Sequence, residues 1–125
     1  MQKFVLMTAA ALGGLSVMIG AFGAHALQTT LEAQGRIETF ETAVKYQFYH
    51  TLALFLIGLL MFRLQDRLLD YAAYSMMGGI LVFSGSLYIL CLSGVRWLGA
   101  ITPIGGLLFI VGWVLLLLSV AKSSL

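Results

Sequence analysis

Residues 4–27 read FVLMTAAALGGLSVMIGAFGAHAL, twenty-four positions without a Lys, Arg, Asp or Glu, and the next such residue is Glu32. At about 1.5 Å per residue, a helix of that length crosses a hydrocarbon core of roughly 30 Å. The run lacks period-2 alternation and is too long for a barrel strand. A backbone that must satisfy its polar groups within lipid then has to be helical. Three further apolar runs follow, over about residues 44–62, 71–92 and 103–121. The chain therefore reads as an all-α membrane protein, a single domain over residues 1–125. Its four transmembrane helices form an antiparallel bundle.

Composition supports the same class. The chain is 61% hydrophobic and 10% charged, with mean hydropathy +1.01, which is far too apolar for a water-soluble domain of this length. Lipid is the partner this demands. A net charge of +2, scattered along the chain, argues against a nucleic-acid footprint. One cysteine, Cys91, cannot make an intrachain disulfide.

The end of the first run imitates a secretory leader, with Lys3 ahead of it and Ala24-His25-Ala26 as a small-x-small site. A leader's apolar core is only about 7 to 15 residues long. Here the run is longer and is interrupted by Gly13-Gly14, so a retained first span is expected.

The connections carry their own signals. Residues 28–43 (QTTLEAQGRIETFETA) hold three of the five acidic residues. Thr29 with Glu32 is a capping-box pattern, and Gly35 would end the short helix it starts. Ile37, Phe40 and Val44 recur at helical spacing, with Glu41 and Lys45 set for an i,i+4 pair. This predicts a short amphipathic interfacial segment between helices 1 and 2. A tight loop at 63–70 makes the next two spans a hairpin, and Thr102-Pro103 reads as N-cap and first turn. Lys3, Arg63, Arg67 and Lys122 share one side, against Arg36, Lys45 and Arg96 on the other. The positive-inside rule then sets both termini in the cytoplasm.

One spacing occurs three times: GGLSVMIG from Gly13 to Gly20, GGILVFSG from Gly78 to Gly85, and GGLLFIVG from Gly105 to Gly112. Glycines seven apart lie on one helix face, where close backbone approach substitutes for the missing hydrophobic drive in lipid. Helix packing, within the bundle or in a homo-oligomer formed through the glycine faces, is the expected use.

Polar residues within the spans gather towards one leaflet. They are His25, Tyr46, Gln47 and His50, with Ser86 and Tyr88 late in the third span and Thr102 before the fourth. Polar groups at such depth need partners or water, so a shared polar pocket is expected, with the stripe of helix 2 facing His25. Two histidines and one cysteine without HxxxH or CxxC spacing do not make a metal site. Haem is disfavoured because the two histidines lie at unequal depth. No Ser-His-Asp, Cys-His or paired-carboxylate set is visible. The expectation is accordingly no cofactor and no catalysis. The rival reading is a transporter or channel for a small solute or ion, with His25 and His50 as polar or titrating groups.

The blocks GAFGAHAL at 20–27, TAVKYQFYH at 42–50, FSGSLYIL at 83–90 and ITPIGGLLFIVGW at 101–113 resemble the YgdD/YwdK-like small inner-membrane proteins, domain of unknown function 423. The resemblance covers nearly the whole chain in order. It implies a four-helix, multi-pass protein of a bacterial plasma membrane and implies no activity. The reading is a structural or partner-binding membrane subunit with a polar pocket in one leaflet.

Overall fold

The computed structural model describes residues 1–125 as helices joined by short connections, with no strand. Helix α1 is Gln2–His25, α2 Gln28–Ala33 and α3 Ile37–Leu60. Helix α4, Arg67–Gly79, passes through a π turn at Ile80–Ser84 into α5, Gly85–Ser93, and together these make the third span. A 3₁₀ turn, Arg96–Ala100, leads into α6, Thr102–Ala121. Four helices are long and apolar enough to cross a membrane.

Several boundaries depart from the sequence reading. The second span begins at Ile37 rather than about residue 44, because α3 runs unbroken through Phe40 and Val44. Only α2 remains as a separate connecting helix. Its capping box does not form: Leu27 is the N-cap without a side-chain bond, and Glu32 instead accepts from Gln28. The third span starts at Arg67 instead of about 71, and the first covers Gln2–His25 instead of 4–27. Gly35, at φ +65°, and Gly94, at φ +77°, end α2 and α5 in the left-handed conformation that suits glycine. Arg36 donates to the Leu90 carbonyl at 3.2 Å, putting a cation on the negative end of α5.

The bundle is built from two tight pairs, α1 with α3 and α4 with α6, joined through contacts of α3 with α4, the π turn and α5. The first and fourth spans therefore lie at the edges. Their membrane-length windows are 17% and 22% buried, against 44% and 39% for the second and third. Val5, Ala9, Leu54, Ile57, Leu69, Ala73, Met76 and Phe109 form the main core between the pairs.

Glycine sets how closely these pairs approach. A methyl group at Gly20 would meet Val44 at 3.3 Å, one at Gly13 would meet Thr51 at 3.6 Å, and one at Gly112 would meet Met76 at 3.1 Å. Gly78 faces Leu108 across the second pair, and Gly105 lies against the Phe83 backbone. Gly85 differs, with nothing within 4 Å of its missing side chain. Five of the six spaced glycines are thus in contact with the chain's own helices. Approaches as close as that of Gly105 also occur at glycines outside the pattern: Gly23 against Phe40, Gly58 against Leu6 and Gly79 against Phe109.

Candidate polar site within the bundle

Gln47, on the inward face of α3, is 3% exposed and links three spans. Its Nε2 donates to the Leu12 carbonyl of α1 at 3.1 Å, and its Oε1 accepts from the Tyr88 hydroxyl of α5 at 2.5 Å. A buried amide with neither partner would be costly in lipid, so the two bonds hold α1, α3 and α5 in register.

One turn further along α3, the His50 ring is enclosed on three sides. It stacks on Phe109 with centroids 3.6 Å apart and planes 11° from parallel. Trp113 Nε1 donates to His50 Nε2 at 3.1 Å, and His50 Nδ1 lies 2.8 Å from the Tyr46 carbonyl. An indole N–H can only donate, so Nε2 accepts and the proton of the neutral ring sits on Nδ1, pointing at Tyr46. Tyr46 stacks on Phe83 with centroids 4.6 Å apart. The histidine thus joins α3 to α6 within an aromatic cluster.

Ser86 and Thr102 form a third group. Their hydroxyls are 2.6 Å apart, with the Phe83 and Leu98 carbonyls as further acceptors. Thr102 is consequently not the N-cap of α6; Ile101 occupies that position, and Pro103 sits in the first turn. Ser84, in the π turn, is completely buried and donates to the Ala43 carbonyl of α3 at 2.7 Å.

The expected pocket residues therefore resolve into separate hydrogen-bonded groups. His25 joins none of them: it is exposed at the end of α1. The α3 stripe bearing Tyr46 and His50 turns towards Phe83, Phe109 and Trp113 rather than towards His25. The four main clefts bypass His25, Tyr46, Gln47, His50, Ser86 and Thr102; Tyr88 alone lines one, an apolar groove of about 390 Å³ beside Ile19, Phe22 and Leu92. No three side chains of His, Cys, Asp or Glu converge in metal-binding range.

A cluster missed in the sequence lies at the opposite end. Asp66 caps α4 by accepting from the Leu68 N–H at 3.1 Å, and accepts from Ser119 of α6 at 2.8 Å. Lys122 pairs with it at 3.2 Å. The signal was an Asp directly before the Arg67-Leu68-Leu69-Asp70 run, a conventional N-cap placement. Burial pushes the Asp66 carboxyl up, but the bonds from Ser119, Leu68 and Lys122 outweigh it and hold the group below its ordinary 3.8. A lowered folded-state value stabilises the fold above the ordinary carboxylate range and is lost as pH falls through it. Acidification below about pH 4 should weaken the wild type, whereas Asp66→Asn should flatten that dependence. Thermal unfolding in detergent across that range checks it; equal slopes for the two proteins would count against this ion-paired cap.

Comparison with known proteins agrees with this architecture. The model of the family described as "Protein of unknown function (DUF423)" matches residues 19–106. A UPF0382 membrane protein of Staphylococcus haemolyticus is 47% identical over 108 residues, covering 86% of this chain and 87% of its own. The UPF0382 membrane protein YwdK of Bacillus subtilis is 39% identical, over 86% of this chain and 88% of its own. The UPF0382 inner membrane protein YgdD of Escherichia coli is 37% identical, over 97% of this chain and 92% of its own. No solved structure matches the chain. With the family model covering its central helices and these relatives aligning along most of its length, the chain belongs to the DUF423 (UPF0382) family of multi-pass membrane proteins.

Proposed function

We propose that this chain is a structural, self-associating subunit of the bacterial inner membrane, neither an enzyme nor a solute passage, with both termini in the cytoplasm. The observation that carries this is the free face of edge helix α1. Met7, Ala10, Gly14, Val17 and Ala21 recur there at helical spacing and are all exposed. Nothing lies within 4 Å of the side-chain position of Gly14. Ala10 and Gly14 make a small-xxx-small pair, which favours close approach by another helix. Helix α6 presents bulky Leu107, Ile110, Val114 and Leu117 instead, a surface suited to lipid. The neighbouring Gly13, Gly20, Gly78, Gly105 and Gly112 already contact the chain's own helices, so this reading moves self-association to Gly14.

The polar side chains within the spans support a non-catalytic role, because buried Gln47 and His50 are bonded by Tyr88 and Trp113. Passage of a solute past His25 and His50 gains no such support: His50 is buried, stacked on Phe109 and bonded at both nitrogens. Four basic residues on the terminal side against three on the other support the orientation.

Cysteine cross-linking in membranes tests the proposal. In a Cys91→Ser background, Ala10→Cys should give a cross-linked dimer and Leu117→Cys should not. Adding Gly14→Leu should reduce the dimer about tenfold, the loss expected for roughly 1.4 kcal/mol of packing. A strictly monomeric protein, or cross-linking indifferent to Gly14→Leu, would overturn it.

A further inference from the structure

A cleft of about 400 Å³ opens where α1 ends, between its last turns, α2 and the start of α3. Gly20, Gly23, Phe40 and Val44 line its apolar part, while Glu41 and Lys45 line the same space. The end of the first span at His25 puts the cleft towards one membrane–water boundary. On one side α1 ends at His25, and over it lies α2, whose sequence is the polar QTTLEA.

Glu and Lys one turn apart in this order normally pair along a helix. Here the chain's single ion pair is Lys122 with Asp66, so Glu41 and Lys45 leave each other unpaired. Neither takes part in a side-chain hydrogen bond to another residue. An acceptor-only anion and a donor-only cation, one helical turn apart on α3, therefore line the same cleft as its apolar residues. Gly20 and Gly23 let α3 side chains close directly onto α1 to form the apolar wall of the recess: a methyl at Gly20 would meet Val44 at 3.3 Å, and one at Gly23 would meet the Phe40 ring.

This pattern complements a molecule with a phosphate, an ammonium group within a few bonds of it, and an acyl chain. We propose that the cleft is a specific site for a phospholipid with a primary-amine zwitterionic headgroup, phosphatidylethanolamine. Lys45 binds the phosphate, Glu41 accepts hydrogen bonds from the ammonium, and an acyl chain lies along Gly20, Gly23 and Val44. Phosphatidylcholine carries the same charges, but its quaternary ammonium has no N–H to give Glu41. Phosphatidylglycerol has no cation at all, and sets its phosphate beside an unanswered carboxylate. The headgroup preference is thus a consequence of Glu41, and general phospholipid retention a consequence of Lys45.

Native mass spectrometry of the full chain tests this, with the protein released from mixed micelles holding phosphatidylethanolamine, phosphatidylcholine and phosphatidylglycerol in equal amounts. The wild type should retain phosphatidylethanolamine over each of the others by about tenfold, as expected for a charge-assisted hydrogen bond in a partly dry site. Glu41→Gln should bring the ethanolamine-to-choline ratio to about one, and Lys45→Gln should reduce retention of all three lipids. Arg96→Gln, a basic residue of the same membrane face outside the cleft, should leave the wild-type preference in place. Free phosphoethanolamine, which lacks the chain, should not displace bound lipid. Glu41 and Lys45 are both exposed, so the variants should melt with the wild type. Equal retention of the three lipids, preference for phosphatidylglycerol, an unchanged preference in Glu41→Gln, or displacement by free phosphoethanolamine would each overturn the proposal.

Discussion

Gly105→Ala should lower the unfolding free energy by about 3 kcal/mol, near the upper end of overpacking costs. The reason is what the new methyl would meet. Its carbon would lie 2.7 Å from the Phe83 Cα and closer still to the Phe83 backbone nitrogen. A flexible side chain can rotate away from such a contact, but backbone cannot. Phe83 is part of the π turn, held in place by the neighbouring Ser84 bond to Ala43 and by its stacking on Tyr46. Relief requires α6 to move away from the third span, opening the tight α4–α6 pair. Gly85→Ala is the matched control, because nothing lies within 4 Å of that position. It should be neutral, or stabilising by up to about 1 kcal/mol through helix propensity. Reversible unfolding of both variants in mixed micelles checks the pair, and equal effects would refute the close α6 approach.

Gln47→Leu should cost about 2 kcal/mol, the second largest effect. It removes the amide that joins α1, α3 and α5 and leaves the half-buried Tyr88 hydroxyl without its acceptor. An orphaned polar group costs its full desolvation, roughly 1–3 kcal/mol, whereas removing both partners together can be nearly neutral. Tyr88→Phe alone should cost about 1 kcal/mol, with the Gln47 oxygen left bare. The double variant Gln47→Leu/Tyr88→Phe should be less destabilised than the sum by about 1 kcal/mol. Strict additivity would mean that the 2.5 Å bond contributes no coupling.

Span count and the apolar faces were legible because lipid imposes few solutions: long uncharged runs have to be helices. Gly35, as the end of α2, was legible from its place behind a short polar helix. The start of α3 was misplaced because Glu38, Glu41 and Lys45 look interfacial by charge, although the helix simply continues through them. For the site, residue type was visible but partnership was not. His50 and His25 look alike as isolated polar residues, yet one lies under Phe109 and Trp113 and the other faces outward. Trp113 reads as an interfacial anchor until α6 places its N–H on His50.

What the sequence determined by itself is the class: four membrane-spanning helices and glycine faces for packing. Those follow from length and local chemistry, which act through the bilayer without reference to other parts of the chain. Only the tertiary structure decided which face meets which. It directed Gly105 at the Phe83 backbone and left Gly14 and Gly85 open. It also bonded Gln47 to two spans and placed Glu41 and Lys45, not ion-paired with each other, along one cleft. Each of these depends on the rotation of one helix about its axis relative to another. That angle is fixed by all the contacts of a pair together, and no single stretch of sequence contains it.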